Sequence, residues 1–290
     1  MIEATSRITR HADREVAAFF ALAFAWSWAV WVPLIWLTPP DGVRTLLLVV
    51  GSFGPSAAAS IILVTRHGAA GAARRMAELS TWSCPLRLWI VTLVAPAAVI
   101  LVAVGLSTII GASVGGWQDP GRLYMVVPVF LYVLILGGPI GEELGWRGYA
   151  LPLLQGERGP LRATAVLGVA WAGWHAPLFA IAGTVQRSVP AMAFAVQILA
   201  TAVIYTWLWN RSRSLPLVIG FHAAFNTSVG LLPVLPETAG TSAPLWIALS
   251  LAVLIAAGLV VVTRGRLGLG SGPSGVSGEA GCHRFAPRAS

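Results

Sequence analysis

The sequence predicts an all-α, polytopic membrane protein with about eight transmembrane helices and both termini in the cytoplasm. Three observations carry this. Hydrophobic residues make up 57% of the chain and mean hydropathy is +0.78. Charged residues are only 10%, against about 25% in a soluble domain. The basic residues, all of them Arg, alternate between rich and poor loops, the pattern that sets membrane orientation.

The elements follow in order. Residues 1–15, MIEATSRITRHADRE, are polar and read as a cytoplasmic lead-in with no signal peptide. A spanning helix needs about 20 apolar residues. Runs near that length cover about 16–38, 45–65, 88–110, 122–146, 163–183, 190–209, 214–233 and 243–263. The seventh run is interrupted by His222, Asn226 and Pro233. Between the second and third runs, AARRMAELS is amphipathic and is expected on the cytoplasmic membrane surface. The domain is expected over 16–265, and the Gly/Ser/Pro-rich tail, 266–290, is expected to be disordered.

Arginine tests the scheme. Along successive loops the counts run 3, 1, 4, 1, 3, 1, 2, 0, 4. Eight crossings with cytoplasmic ends fit that alternation, and one helix more or fewer spoils it. It also explains the high pI of about 10.9 without nucleic acid; no basic stripe with interleaved aromatics is present, so no nucleic-acid partner is expected. Cys84 and Cys282 form no metal-type spacing. The GC-biased composition points to a bacterial plasma membrane, with membrane lipid as the surroundings.

Within the runs the ionisable residues are few: Glu142, Glu143, His175 and His222, with Arg147 at a run end. An intramembrane ionisable group is a functional-site hypothesis by default. Counted from the run ends, Glu142, His222 and His175 lie roughly 8, 12 and 18 Å deep, so a common site is expected in the cytoplasmic half. Glu143 and Arg147 are spaced i and i+4 and can pair. Glu142 lies about 100° round the helix and faces elsewhere. His222 and Asn226 share a face. The stretch GGP at 137–139 weakens the helix just ahead of the acids. Nearby Trp146, Trp171, Trp174, Phe221 and Phe225 read as packing surface.

A Glu beside a His suits water activation, and His222 with Asn226 are donors of the kind that stabilise an oxyanion. No Ser or Cys sits in a nucleophile elbow. The competing version is a metal: Glu142, His175 and His222 as ligands of one Zn²⁺ with a water in the fourth position. HExxH is absent, and ligand types alone do not decide.

These residues carry a resemblance. EELGWR (142–147) matches an EExxxR motif, WAGWH (171–175) resembles FxxxH with Trp171 in place of Phe, and HAAFN (222–226) matches HxxxN. Their order on successive hydrophobic segments resembles the CPBP family: type II CAAX prenyl endopeptidases and bacteriocin-processing or immunity relatives. The similarity covers roughly 122–233. It implies an intramembrane endopeptidase in which Glu142 is the water-activating base, His175 its partner, His222 and Asn226 the oxyanion site, and Glu143 with Arg147 a support. A glutamate-type, metal-free mechanism is the favoured expectation, zinc the alternative. The expected substrate is a peptide or membrane protein, lipidated in the family's CAAX-processing members, cut near the cytoplasmic face. The rival classes are a proton-coupled transporter and a non-catalytic immunity or scaffold relative. Against transport, no internal repeat is visible.

Overall fold

A computed structural model describes residues 2–115, 124–269 and 282, with side chains from Asp13 onward. Every regular element among them is helical. Helix α1 (Ile2–Trp31) runs unbroken out of the polar lead-in and ends in a 3-10 turn, Val32–Ile35. Helices α2 (Asp41–Ser52) and α3 (Gly54–Leu79) meet at a 44° bend, and α4 covers Leu86–Ile109. Helices α5 (Val126–Leu136) and α6 (Pro139–Glu143) lead into a π-helical stretch, Leu144–Ala150, and then α7 (Leu151–Arg158). Helix α8 (Pro160–Trp174) ends in a 3-10 turn, Ala176–Ala180. Helices α9 (Ala191–Ser212), α10 (Leu215–Leu231), the short α11 (Pro236–Ala239) and α12 (Ala243–Val262) complete the chain.

Six of these segments are long and apolar enough to cross a membrane, and the bent α2–α3 pair makes seven. The expected run at 163–183 falls short because α8 stops at Trp174, ahead of the Ala176–Pro177 turn. Proline cannot continue the helical hydrogen bonding.

Contacts nevertheless sort the loops onto two ends of the bundle. At one end Arg158 pairs with Asp13, and Glu15 bonds both Arg66 and Tyr149. There too Ser214 donates to the Thr81 carbonyl, and Asn210 to that of Leu267. At the other end Arg44 donates to the Ala182 carbonyl, and the Gly115 N–H to that of Ala239. Between Arg158 and Ala182 the chain therefore changes ends, with α8 and its 3-10 turn as the traverse.

Two features go beyond the sequence reading. The AARRMAELS stretch is the continuation of α3 beyond a kink at Gly68 (φ 67°), with Ala72 and Leu79 buried. The cysteines, unremarkable in the sequence, form a disulfide, Cys84–Cys282. The rest of the predicted disordered tail, apart from residues 266–269 and 282, lies outside the described residues.

Packing of the central segment depends on absent side chains. A Cβ on Gly141 would lie 2.7 Å from the Ser52 carbonyl oxygen, and one on Gly145 would lie 2.4 Å from the Pro55 carbonyl. This Gly-x-x-x-Gly spacing lets α6 press its backbone onto the α2–α3 bend, as small residues do between membrane helices. The Ser56 hydroxyl seals the contact, donating to the Ile140 carbonyl at 2.8 Å.

Candidate active site

The broken helix sets the first acid. Helix α5 stops at Leu136, Gly138 takes φ 106°, and Pro139 opens α6. At that φ only Gly is at ease. A Cβ on Gly138 would lie 2.6 Å from Glu142 Oε1, so the same Gly leaves room for the carboxylate. The other oxygen, Oε2, accepts a hydrogen bond from the Trp171 indole N–H at 2.7 Å.

The second acid has different partners. Glu143 is fully buried and accepts Arg147 Nη1 on both oxygens, at 3.0 and 3.1 Å. Its Oε1 also accepts from His222 Nδ1 at 2.8 Å. The Arg147 guanidinium lies 4.2 Å from the Trp171 ring centroid and 4.6 Å from that of Tyr205. Its Nε and Nη2 are buried without a hydrogen-bond partner; the aromatic faces take that side of the cation instead. The π turn that presents Arg147 belongs to a class common at functional sites.

His175 caps the end of α8. Its Nδ1 is 2.8 Å from the Trp171 carbonyl oxygen. A carbonyl only accepts, so Nδ1 carries the proton and Nε2 of the neutral ring is an acceptor. Trp171 thus engages both residues, Glu142 through its indole N–H and His175 through its backbone carbonyl. Sequence reading took Trp171 for packing surface; its donor role was invisible because Glu142 is 29 residues away on another segment.

Glu142, His175, His222 and Asn226 all line one cavity of about 480 Å³. Trp171 and Tyr205 also line it, whereas Glu143 and Arg147 stand behind its wall. A second cavity of about 380 Å³ adjoins it, sharing Phe194, Gln197, Thr201, Phe225 and Val229. Its lining is apolar except for Gln197 and Thr201, which bond each other at 2.9 Å.

The metal version asks for Glu142, His175 and His222 together. Among the described residues no group of three or more His, Cys, Asp or Glu is arranged to hold an ion. The Trp171 donor occupies one Glu142 oxygen and His222 Nδ1 is held by Glu143, which leaves the other carboxylate oxygen and Nε2 to further partners; a carboxylate on the far ring nitrogen orients His in metal and metal-free sites alike.

Depth also differs from expectation. The run expected to end at 146 continues through the π turn to Arg158, so Glu142 lies sixteen residues before that end. The cavity reaches the opposite one: Thr45, Thr184, Val185 and Gln186 line it, beside Arg44 and Ala182.

Comparison with known proteins agrees with the motifs. Residues 124–228 match the family model described as type II CAAX prenyl endopeptidase Rce1-like. A curated CAAX prenyl protease 2 of Methanococcus maripaludis is 34% identical over 151 residues, covering 49% of this chain and 55% of the relative. The chain thus spans about half the length of the curated relative it matches. The CPBP resemblance is upheld, and the family-model match spans Glu142, His175, His222 and Asn226.

Proposed function

We propose that this protein is an intramembrane endopeptidase that hydrolyses peptide bonds with a water held between Glu142 and His175. The observation that supports the reading is that Trp171 engages both Glu142 and His175. It leaves Glu142 Oε1 and His175 Nε2 as acceptors on one cavity wall. A water donating one hydrogen to each keeps an oxygen lone pair for attack. Glu142 takes the proton as that oxygen bonds to the scissile carbonyl carbon. The carbonyl oxygen gains the negative charge, near His222 and Asn226. Collapse breaks the C–N bond, and Glu142 returns the proton to the departing amine.

His222 has a requirement of its own. With Nδ1–H committed to Glu143, its Nε2 donates to an oxyanion only as imidazolium. Glu143 accepts from that ring and from Arg147 together. Glu143 and Arg147 therefore support the site from behind the wall and do not touch substrate.

The reading is metal-free, in keeping with the Glu–His water site and the Asn four residues after His222; a Zn²⁺ on Glu142, His175 and His222 is the alternative. The substrate is a peptide or membrane-protein segment. The adjoining apolar cavity supports one that carries a hydrocarbon chain, as a lipidated peptide does.

Purified protein in detergent with a peptide library tests this. Wild type cleaves, and Glu142→Ala loses at least 100-fold in kcat, the scale of a general base. No cleavage by wild type overturns the reading. Loss of cleavage on chelation with recovery on adding Zn²⁺ overturns the metal-free part. Proton-coupled uptake into liposomes abolished by Glu142→Gln favours a transporter instead.

A further inference from the structure

Helix α9 turns one face to the chamber. Phe194, Gln197, Ile198, Thr201 and Tyr205 recur at helical spacing and all line it. The ends of this stripe meet the two histidines. The Phe194 ring centroid is 5.0 Å from that of His175, and the Tyr205 centroid is 5.6 Å from that of His222. Gln197 and Thr201 fall between them, so a polar pair stands along α9 between the two histidines. Its position is fixed against α8, which carries Trp171. A Cβ on Gly168 would lie 2.9 Å from the Leu199 side chain and 3.3 Å from that of Ala202, so α8 and α9 are in close contact there. The Thr164 hydroxyl donates to that of Thr206 at 2.9 Å and ties the same two helices.

The pair occupies the seam of the two cavities, since both residues line the chamber and the apolar cavity beside it. The Gln197 amide nitrogen donates to Thr201 Oγ1 at 2.9 Å. That bond consumes one amide hydrogen and one hydroxyl lone pair. It leaves Gln197 Oε1 as an acceptor and the Thr201 hydroxyl hydrogen as a donor. An acceptor beside a donor matches the N–H and C=O of an extended chain. A peptide drawn out of water into this chamber needs such partners, because a buried peptide group without one is strongly penalised.

We propose that Gln197 and Thr201 form a backbone-recognition subsite: Gln197 Oε1 accepts a substrate N–H and the Thr201 hydroxyl donates to a substrate carbonyl, while the scissile bond lies at Glu142 and His175. The subsite grips the chain without reading its side chains. It aligns the peptide along the seam, so that a neighbouring side chain faces the apolar cavity. This rests on the endopeptidase reading for the cut, though not for the binding.

The experiment replaces backbone amides of a peptide by esters, which deletes an N–H and keeps the shape of the chain. The probe is a fluorescent Ala-rich peptide with one Leu, together with a series of analogues that each carry one ester. Binding is read by anisotropy in detergent on the Glu142→Gln protein, which is expected to bind without cutting. One ester position is expected to weaken binding roughly tenfold, the scale of one lost hydrogen bond. Adding Gln197→Met is expected to erase the penalty at that position and at no other. Thr201→Val keeps the side chain's shape and deletes the hydroxyl; in the same background it is expected to weaken binding of the all-amide peptide several-fold, and it serves should Gln197→Met not accumulate. The proposal is overturned if the probe does not bind, if no ester position is penalised, or if the penalty survives Gln197→Met. Binding that behaves as expected in a protein whose wild type cuts no peptide refutes the endopeptidase reading and leaves the subsite standing. Cleavage by wild type with an ester penalty indifferent to Gln197 refutes the subsite alone.

Discussion

Glu142 and Glu143 are neighbours with different partners, and substitution should separate them. Glu142 meets one donor and open cavity; Glu142→Gln is expected to abolish cleavage and leave the melting temperature in detergent nearly unchanged. Glu143 balances a buried guanidinium and a buried imidazole. Removing one partner of a buried ion pair costs about 3–5 kcal/mol, so Glu143→Ala is expected to lower both the melting temperature and kcat. Trp171→Phe keeps an aromatic face for Arg147 and deletes the donor to Glu142. Hydrogen bonds to a charged group contribute about 1.5–3 kcal/mol. A kcat loss of roughly 10- to 100-fold with KM little changed is therefore expected from steady-state kinetics. The i, i+4 pairing of Glu143 with Arg147 was legible in the sequence because it is local. The Trp171–Glu142 and His222–Glu143 bonds were not, because each joins segments that only the tertiary fold brings together.

At the level of elements, the site depends on how closely α6 approaches the α2–α3 bend. Gly145→Ala puts a methyl group into the Pro55 backbone, and such overpacking costs about 1–3 kcal/mol. A lowered melting temperature and weaker cleavage are expected. Gly42→Ala, in α2 with open space around it, is the control and should change neither. The GGP break was readable in the sequence, and it falls between α5 and α6 as the composition suggested. The reach of that segment to Arg158 was not, since hydropathy fades after Trp146 while the backbone stays helical. Helix α8 erred oppositely: apolar residues continue past His175, but Pro177 ends the α-helix.

For the whole molecule, the arginine alternation led to an expectation of eight crossings, and among the described residues six segments, or seven with the bent pair, are long and apolar enough to cross. The missing traverse is α8, whose 15 helical residues need the 3-10 turn to finish the passage. Cys84 belongs to the end remote from the chamber, so the Cys84→Ser, Cys282→Ser protein should cleave with wild-type kcat, checked in the same detergent assay. Exposed pairs such as Asp13–Arg158 contribute at most about 1 kcal/mol. Cohesion comes instead from the tightly filled centre around Trp31, Trp146, Trp174 and Trp209.

The wide turn over Leu144–Ala150 has a bearing on any attempt to regularise this protein. A π turn holds one residue more than the α-helical turn it replaces, so it behaves as an insertion locked into the helix. Deleting a single residue there would permit ordinary α-helical bonding and give a smoother rod. It would also rotate everything beyond it by about 100°, carrying Tyr149 away from Glu15 and twisting α7 out of phase with α8. An idealised redesign of this segment would thus be a better helix that no longer holds Glu143 and Arg147 in the register of the site.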